Sequence, residues 1–198
     1  FLKPVIGWIA GLHLDDLASD HAAVFDGRLG AEIRNGAVAL HIELPDNFHP
    51  FVRTLNLFQP GQGPAIRFSK AGFEACTAKI GGKDVNFAAW LQQNRQDAAA
   101  PLVADYAGTA VNVSIKAIDA ARGKVDFYAP VFPGVDYHVA ASVGDYVENF
   151  NKLIPKDAQT VVSCNCILNY LFGKLEGRRT GGFTGPITFG EIAQQLLN

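Results

Sequence analysis

The feature that most restricts the fold is a region of alternating apolar residues, broken by short turns, between residues 111 and 142. In Val111–Lys116 apolar and polar side chains alternate, and the stretches KVDFYAPV and DYHVAAS follow. Turns are expected at Arg122-Gly123 and Pro133-Gly134. A period of two is typical of strands with one buried face, and short turns join antiparallel neighbours. The region therefore predicts a three-stranded antiparallel meander.

Two further stretches predict β-hairpins. In AEIRNGAVALHIEL, residues 31–44, the pair Asn35-Gly36 suits a two-residue type I′ turn, because both of its positions need positive φ. A second hairpin is predicted around Gly81-Gly82. In the first hairpin the residues that would share one apolar face are Val38, Leu40, Ile42 and Leu44.

Helices are predicted where apolar residues recur every three or four positions. Asp84 is a candidate N-cap, Pro155 is expected to end a helix, and a strand at 160–164 is expected to lead into another. The predicted helices are one containing Phe87, Trp90 and Leu91, one along Tyr146–Leu153, one at 166–175 and one at 188–197. The fold class that follows is α+β, with helices packed on an antiparallel-dominated sheet.

Composition excludes several classes of function. The 198 residues carry a net charge of −2, with 48% hydrophobic and 18% charged side chains, which is enough for a packed core. The longest basic run is Arg178-Arg179, so nucleic acid is not an expected partner, and apolar runs fall far short of a membrane helix. Three cysteines and no recognisable secretory signal predict a reducing, cytoplasmic setting. The absence of methionine and the start at Phe1 suggest a piece of a longer protein.

The Cys164-Asn165-Cys166 triplet, at a predicted strand-to-helix junction, has three readings. A zinc clip needs four ligands and usually C-x-x-C spacing, which is absent here. A thiol nucleophile would be favoured by the helix N-terminus but lacks a local base. The third reading makes both cysteines small buried side chains at the rim of a ligand site, and free cysteine is commonly buried.

A glycine-rich stretch, Thr180–Ala193, follows this junction. Its glycines indicate sharp turns or close approach, and we expect positive φ at one or more of Gly182, Gly185 and Gly190. Thr188 and Glu191 match a capping box for the last predicted helix. The apolar residues expected to be mostly buried here are Ile187, Phe189, Ile192, Leu196 and Leu197.

Other polar residues are candidates for ligand contact. Asp105, Tyr106 and Asn112 lie amid apolar strand and, if buried, need hydrogen-bond partners from protein or ligand. The histidines show no metal-binding spacing, but one axial haem ligand requires no spacing, so His49 and His138 are haem candidates. Otherwise no cofactor is predicted.

The order of these motifs resembles the FIST family of sensory domains. The stretches that carry the likeness are GKVDFYAPVFPG, VVSCNCILNYLFG and GGFTGPITFGEIA, with weaker likeness in VIGWIAGL and GAVALHIEL. The chain departs from the pattern at Asn165-Cys166 and Gly185-Pro186. The resemblance implies that residues 1–60 are the tail of an N-terminal FIST-like half and that 61–198 form a C-terminal ligand-sensing domain. It also implies a signalling partner, such as a histidine kinase or a cyclic-dinucleotide enzyme.

The sequence thus favours a sensory domain that binds a small ligand and performs no chemistry of its own. The predicted site residues are Cys164, Asn165, Cys166, Gly182, Phe183, Gly185, Glu191, Asp105, Tyr106 and Asn112. The alternatives are a thiol-dependent enzyme using Cys164, a haem-based nitric-oxide sensor, and an interaction module without a ligand.

Overall fold

A computed structural model describes residues 3–16, 19–94, 99–106, 108–156, 160–193 and 196–197. The strands are β1 (Ile6–Trp8), β2 (Val24–Asp26), β3 (Ala31–Ile33), β4 (Ile66–Arg67), β5 (Gly72–Ala75), β6 (Thr77–Ile80), β7 (Lys83–Asn86), β8 (Leu102–Tyr106), β9 (Thr109–Val113), β10 (Ile115–Asp119), β11 (Lys124–Val131), β12 (Tyr137–Val139), β13 (Asn165–Cys166), β14 (Ile187–Thr188), β15 (Glu191–Ala193) and β16 (Leu196–Leu197). The helices are α1 (Phe87–Gln93), α2 (Tyr146–Leu153) and α3 (Ile167–Phe172), with one 3₁₀ turn at Leu14–Asp16. Antiparallel sheets with a few helices confirm the predicted α+β class.

The chain divides into two compact units. The central unit runs from Leu55 to Ile154, and the terminal unit combines the residues up to Thr54 with Pro155–Leu197. The predicted boundary between residues 1–60 and 61–198 separates the two halves of a FIST-like chain, whereas the compact units are defined by contacts within this chain. The predicted boundary therefore stays a prediction.

The central unit holds a six-stranded sheet in the order β7-β6-β4-β12-β8-β9 and a three-stranded sheet in the order β10-β11-β5. Its core centres on Phe68, whose ring meets those of Phe87, Phe127 and Tyr137 edge-on, with centroids 5.3, 5.6 and 5.3 Å away. Edge-to-face pairs at these separations stabilise a core beyond simple burial. The apolar alternation of the strands thus forms one continuous core.

Most predicted elements of the central unit are confirmed. The hairpin at Gly81-Gly82 joins β6 and β7, and α2 ends just before Pro155. Helix α1 forms as expected, but Asn86 rather than Asp84 caps it, by accepting a hydrogen bond from Ala89 N at 2.9 Å. The cap therefore lies two residues closer to the first apolar residue of the helix.

The predicted meander is only partly correct. Strands β10 and β11 form the expected hairpin, and Gly123 in its turn has a φ of +63°. Strand β11 then pairs with β5, whereas β12 pairs with β4 and β8 in the other sheet. The first predicted strand is divided into β9 and β10, which belong to different sheets, and the partners of β12 depend on contacts that are distant in sequence.

The terminal unit contains the sheets β1-β15-β16 and β2-β3 and the parallel pair β13-β14. The hairpin predicted at Asn35-Gly36 is wrong, because β3 pairs back with β2 and residues 37–44 belong to no strand. The last helix predicted at 188–197 is also wrong, because its described residues form β14, β15 and β16. Pairing with β1 provides partners for this backbone that the capping-box pattern could not anticipate.

The burial expected around β14 and β15 is not found. Ile187 and Phe189 are 41% and 37% exposed, and Ile192 is half-buried. The side chains of Leu196 and Leu197 lie outside the described residues. The prediction for Ile187 and Phe189 was wrong because it assumed a helix with one buried face.

Candidate functional site

A strand-to-helix junction is present, but it lies at Cys166 rather than at Cys164, and the strand predicted at 160–164 does not form. Strand β13 covers Asn165–Cys166 rather than 160–164, and α3 follows at once. The Asn165 side chain accepts hydrogen bonds from Cys166 N at 2.9 Å and Asn169 Nδ2 at 3.0 Å. Asn165 therefore stabilises the junction by linking the strand to the first turn of the helix.

The glycine loop lies directly against this junction. Gly185 N donates to Ser163 Oγ at 3.1 Å, and Asn165 N donates to Pro186 O at 3.1 Å. A Cβ at Gly185 would overlap the Ser163 carbonyl, so the predicted close approach is confirmed there.

The conformational prediction for the same loop was wrong. Positive φ falls on Gly181, at +59°, and not on Gly182, Gly185 or Gly190. A Cβ at Gly182 would meet open space. Phe183, another predicted site residue, is half-buried and closes a turn by donating from its N–H to Thr180 O at 3.2 Å.

Thr188 and Glu191 form the polar centre of the site. Thr188 is 3% exposed, and its Oγ1 lies 3.2 Å from Asn165 O and within hydrogen-bonding distance of the Glu191 carboxyl. A hydroxyl has one proton to donate, so both bonds form together when Glu191 is protonated and donates to Thr188. Burial raises the pKa of Glu191, which favours that protonated form.

The two thiols beside this pair favour their neutral form. Burial raises the pKa of Cys164 and of Cys166, and the negative charge that Glu191 carries when ionised raises both further. Both side chains are half-buried. Within the described ranges, no hydrogen bond joins a histidine to Cys164, and no group of three or more His, Cys, Asp or Glu side chains converges as metal ligands.

A cleft of about 210 Å³ opens next to Thr188. It is lined by Trp8, Ile9, Gly11, Leu12, Ile187, Thr188 and Phe189. The Phe189 ring lies so close to Gly11 that a Cβ there would overlap it, and Ile9 N donates to Gly190 O at 2.9 Å. The wall of the cleft thus depends on a glycine that lets an aromatic ring approach the backbone.

The cleft and the polar centre belong to one surface of a sheet. In the pairing of β1 with β15, Trp8 lies directly opposite Glu191. Directly opposed residues on antiparallel strands project to the same face. Sequence reasoning missed Trp8, Ile9 and Leu12, because the cleft forms only when β1 pairs with β15, which lies near the other end of the chain.

The remaining predicted ligand contacts lie in the central unit and have protein partners. Tyr106 Oη is 2.7 Å from Tyr137 Oη, and Tyr137 Oη accepts from Phe132 N at 2.8 Å. Asn112 exchanges amide hydrogen bonds with Asn56 at 3.0 and 3.1 Å.

Asp105 accepts from Gly108 N in a tight turn. The hydrogen-bonding needs of this group of side chains are therefore met within the central unit.

The two haem candidates lie in different units. His49 belongs to a run in which every residue from 41 to 50 is exposed. His138 Nδ1 lies 3.1 Å from Gly63 O, in hydrogen-bonding range. Haem binding by either residue stays a prediction.

The chain belongs to a family of unknown function, DUF6976, which it matches over residues 1–198. No curated protein and no solved structure matches it significantly. No helix in the described part of the chain is long and apolar enough to cross a membrane. The FIST resemblance is not tested by these comparisons and stays a prediction.

Proposed function

We propose that this chain is a sensory domain that binds a small molecule in the cleft between Trp8 and Phe189. The observation that supports the proposal most is the buried Thr188, which lines the cleft and is hydrogen-bonded to Glu191. Binding sites typically combine apolar walls with a few placed polar groups. A volume of about 210 Å³ is below the roughly 300–1,000 Å³ of drug-sized sites, which suits a small metabolite.

The chemistry of the walls defines the ligand class. Trp8, Ile9 and Phe189 offer apolar and aromatic contact, whereas Thr188 offers an uncharged hydroxyl group. A neutral compound with an apolar body and one polar group fits this set, because none of the described lining residues carries a charge that would pair with an ion. Under this proposal the domain is cytoplasmic and passes its signal to a partner such as a histidine kinase or a cyclic-dinucleotide enzyme, as the FIST resemblance implies.

The test uses Trp8 as the reporter. A Trp90→Phe background leaves Trp8 as the remaining tryptophan, and its emission is followed during titration with a panel of small neutral metabolites. We expect a saturable change that Thr188→Val and Gly11→Val abolish, since the first removes the hydroxyl and the second fills the cleft. Thr184→Val, at an exposed position of the same loop, is the matched control and should bind normally.

Two results would contradict the proposal. One is that no compound of the panel changes Trp8 emission and that native mass spectrometry of the purified protein shows no bound small molecule. The other is binding that survives Gly11→Val unaltered, because the ligand would then lie elsewhere.

The alternatives have their own readouts. A thiol enzyme requires a thiolate, which the raised pKa of Cys164 disfavours, so we expect Cys164→Ser to leave the Trp8 titration nearly unchanged. Loss of a hydrolytic activity in Cys164→Ser would favour the enzyme. A Soret band in the purified protein that His49→Ala or His138→Ala abolishes would favour the haem sensor.

A further inference from the structure

The alternating segment, residues 37–44 of the terminal unit, lacks a partner in the described structure. It belongs to no helix or strand, all eight residues are exposed, and no backbone hydrogen bond joins it to other described residues. Its four branched apolar side chains are strongly exposed: Val38 48%, Leu40 83%, Ile42 65% and Leu44 47%. An exposed apolar stripe of this kind marks an interaction surface or an aggregation hazard.

The sequence limits this segment at both ends. The chain bends at residues 34–36 before it, and a turn after it is closed by Phe48 N donating to Pro45 O at 2.9 Å. Proline at this end has no N–H to extend a ladder. The eight residues between these limits match the usual length of one strand, about 3–10 residues.

The pattern within the segment is symmetric about His41. Its apolar residues occupy positions 38, 40, 42 and 44, so reversing the segment about residue 41 places them on the same positions. When two such strands run antiparallel with His41 opposite His41, Val38 meets Leu44 and Leu40 meets Ile42. Residues directly opposite each other share a face, so one apolar face forms across both strands.

Charge selects this arrangement over the parallel one. Glu43 is the one acidic residue of the segment, and in the antiparallel register it lies opposite Ala39. In-register parallel strands would place Glu43 against Glu43, and like charges directly opposite are destabilising.

We propose that two copies of this chain pair as antiparallel strands through residues 38–44, with the two-fold axis at His41. Each copy supplies the same surface to the other, which is the arrangement of a closed two-fold dimer. The pairing also gives the exposed backbone of the segment its hydrogen-bond partners. The proposal does not depend on ligand binding in the cleft.

Disulfide trapping on the whole chain tests the register. In a background with the exposed Cys76 changed to serine, His41→Cys should form a dimer under mild oxidation, because opposed Cα atoms lie about 4.5–5.5 Å apart and disulfides span about 4.4–6.8 Å. Ala39→Cys and Glu43→Cys should each stay uncoupled alone. Mixed together they should couple with each other, since residues 39 and 43 are opposed.

Several outcomes would overturn the proposal. Self-coupling of Ala39→Cys would indicate parallel strands or random collision, and failure of His41→Cys to couple would exclude the register. Sedimentation velocity of the unmodified chain should show a dimer that Leu40→Glu converts to monomer and Glu43→Lys does not. A monomer at every concentration, or equal loss of the dimer in both variants, would contradict pairing through the apolar face.

Discussion

The central and terminal units differ sharply in where they place their apolar side chains. Of the twenty buried hydrophobic residues in the described part of the chain, nineteen belong to the central unit, and Leu175 alone belongs to the terminal one. Of the twenty-two large hydrophobic residues that are exposed, eighteen belong to the terminal unit. The central unit therefore has a core of its own, whereas the terminal unit keeps its apolar surface available.

The difference connects burial with function. A unit with a filled core gains stability from burial, at roughly 25 cal/mol per Å² of apolar surface. A unit that leaves apolar residues exposed gives up that stability and retains surface for ligands or partners. The cleft at Trp8 and the alternating segment 37–44 both lie in the terminal unit. We infer that the central unit supports the fold and that the terminal unit carries the recognition surfaces.

The largest contrast is expected for phenylalanine truncations. Phe87 is fully buried in the aromatic cluster of the central unit, so Phe87→Ala should lower the free energy of unfolding by about 3–5 kcal/mol. Phe51, which is 70% exposed in the terminal unit, is the matched control. Phe51→Ala should change the free energy of unfolding by less than about 0.5 kcal/mol. Urea denaturation measures both, and equal losses would contradict the contrast.

A smaller effect is expected at the glycine loop. Gly185→Ala should destabilise the terminal unit by about 1–3 kcal/mol, because its Cβ would overlap the Ser163 carbonyl. Gly182→Ala, where a Cβ meets open space, is the control and should be nearly neutral. Trp8 emission during urea unfolding, in the Trp90→Phe background, follows this unit. Similar behaviour of the two variants would show that the close approach does not constrain the loop.

In the central unit, Tyr137→Phe should cost about 1–3 kcal/mol, because it leaves the Phe132 N–H without its acceptor. Tyr128→Phe removes a hydroxyl from a side chain that is 53% exposed and should cost far less. Circular dichroism during thermal unfolding compares the two. Equal thermal unfolding midpoints for the two variants would mean that water replaces the Tyr137 hydroxyl as the acceptor for Phe132 N.

Glu191 should make the terminal unit sensitive to pH. Its pKa is raised by burial, so the stabilising protonated form is complete below the ordinary glutamate pKa and is lost as pH rises through the raised value. Trp8 emission should therefore report falling stability from about pH 4 upward, and Glu191→Gln should remove that slope. Glu176→Gln, at an exposed position, should keep it.

The central unit should respond at alkaline pH instead. Burial and the hydrogen bond to Tyr137 raise the pKa of Tyr106 above its ordinary value. The protonated form stabilises the fold, so stability should fall as pH rises above about 10, the ordinary tyrosine pKa. Tyr106→Phe should weaken that fall when unfolding is followed by circular dichroism. An unchanged alkaline slope would show that the hydroxyl does not titrate with unfolding.

The sequence predicted the central unit better than the terminal one for the same physical reason. Alternation and helical periodicity report burial, and they correctly placed β10, β11, α1 and α2. In the terminal unit the alternating residues 38–44 are exposed, so the pattern predicted a hairpin that the described structure does not contain. Partner choice, as for β12, depends on distant contacts that local patterns do not encode.

The candidate site was predictable in part. A strand-to-helix junction near Cys164 and the Gly185 contact followed from motif order and from glycine chemistry. The Thr188–Glu191 contact was expected as a helix cap but occurs between strands, because the chain bends at Phe189-Gly190 between β14 and β15 and brings the two side chains together. Trp8 and Ile9 could not be assigned, since their approach to Phe189 depends on pairing between opposite ends of the chain.

Hydrogen–deuterium exchange of the whole chain, read peptide by peptide, separates the two units most directly. Amides in strands that form the buried core exchange through the rarest openings, and those with little apolar cover exchange through frequent ones. We expect peptides from β8, β9 and β11 to be the slowest and those from β1 and β15 to be fast. Equal protection in both units, or slower exchange in the terminal one, would contradict the assignment of the core to Leu55–Ile154.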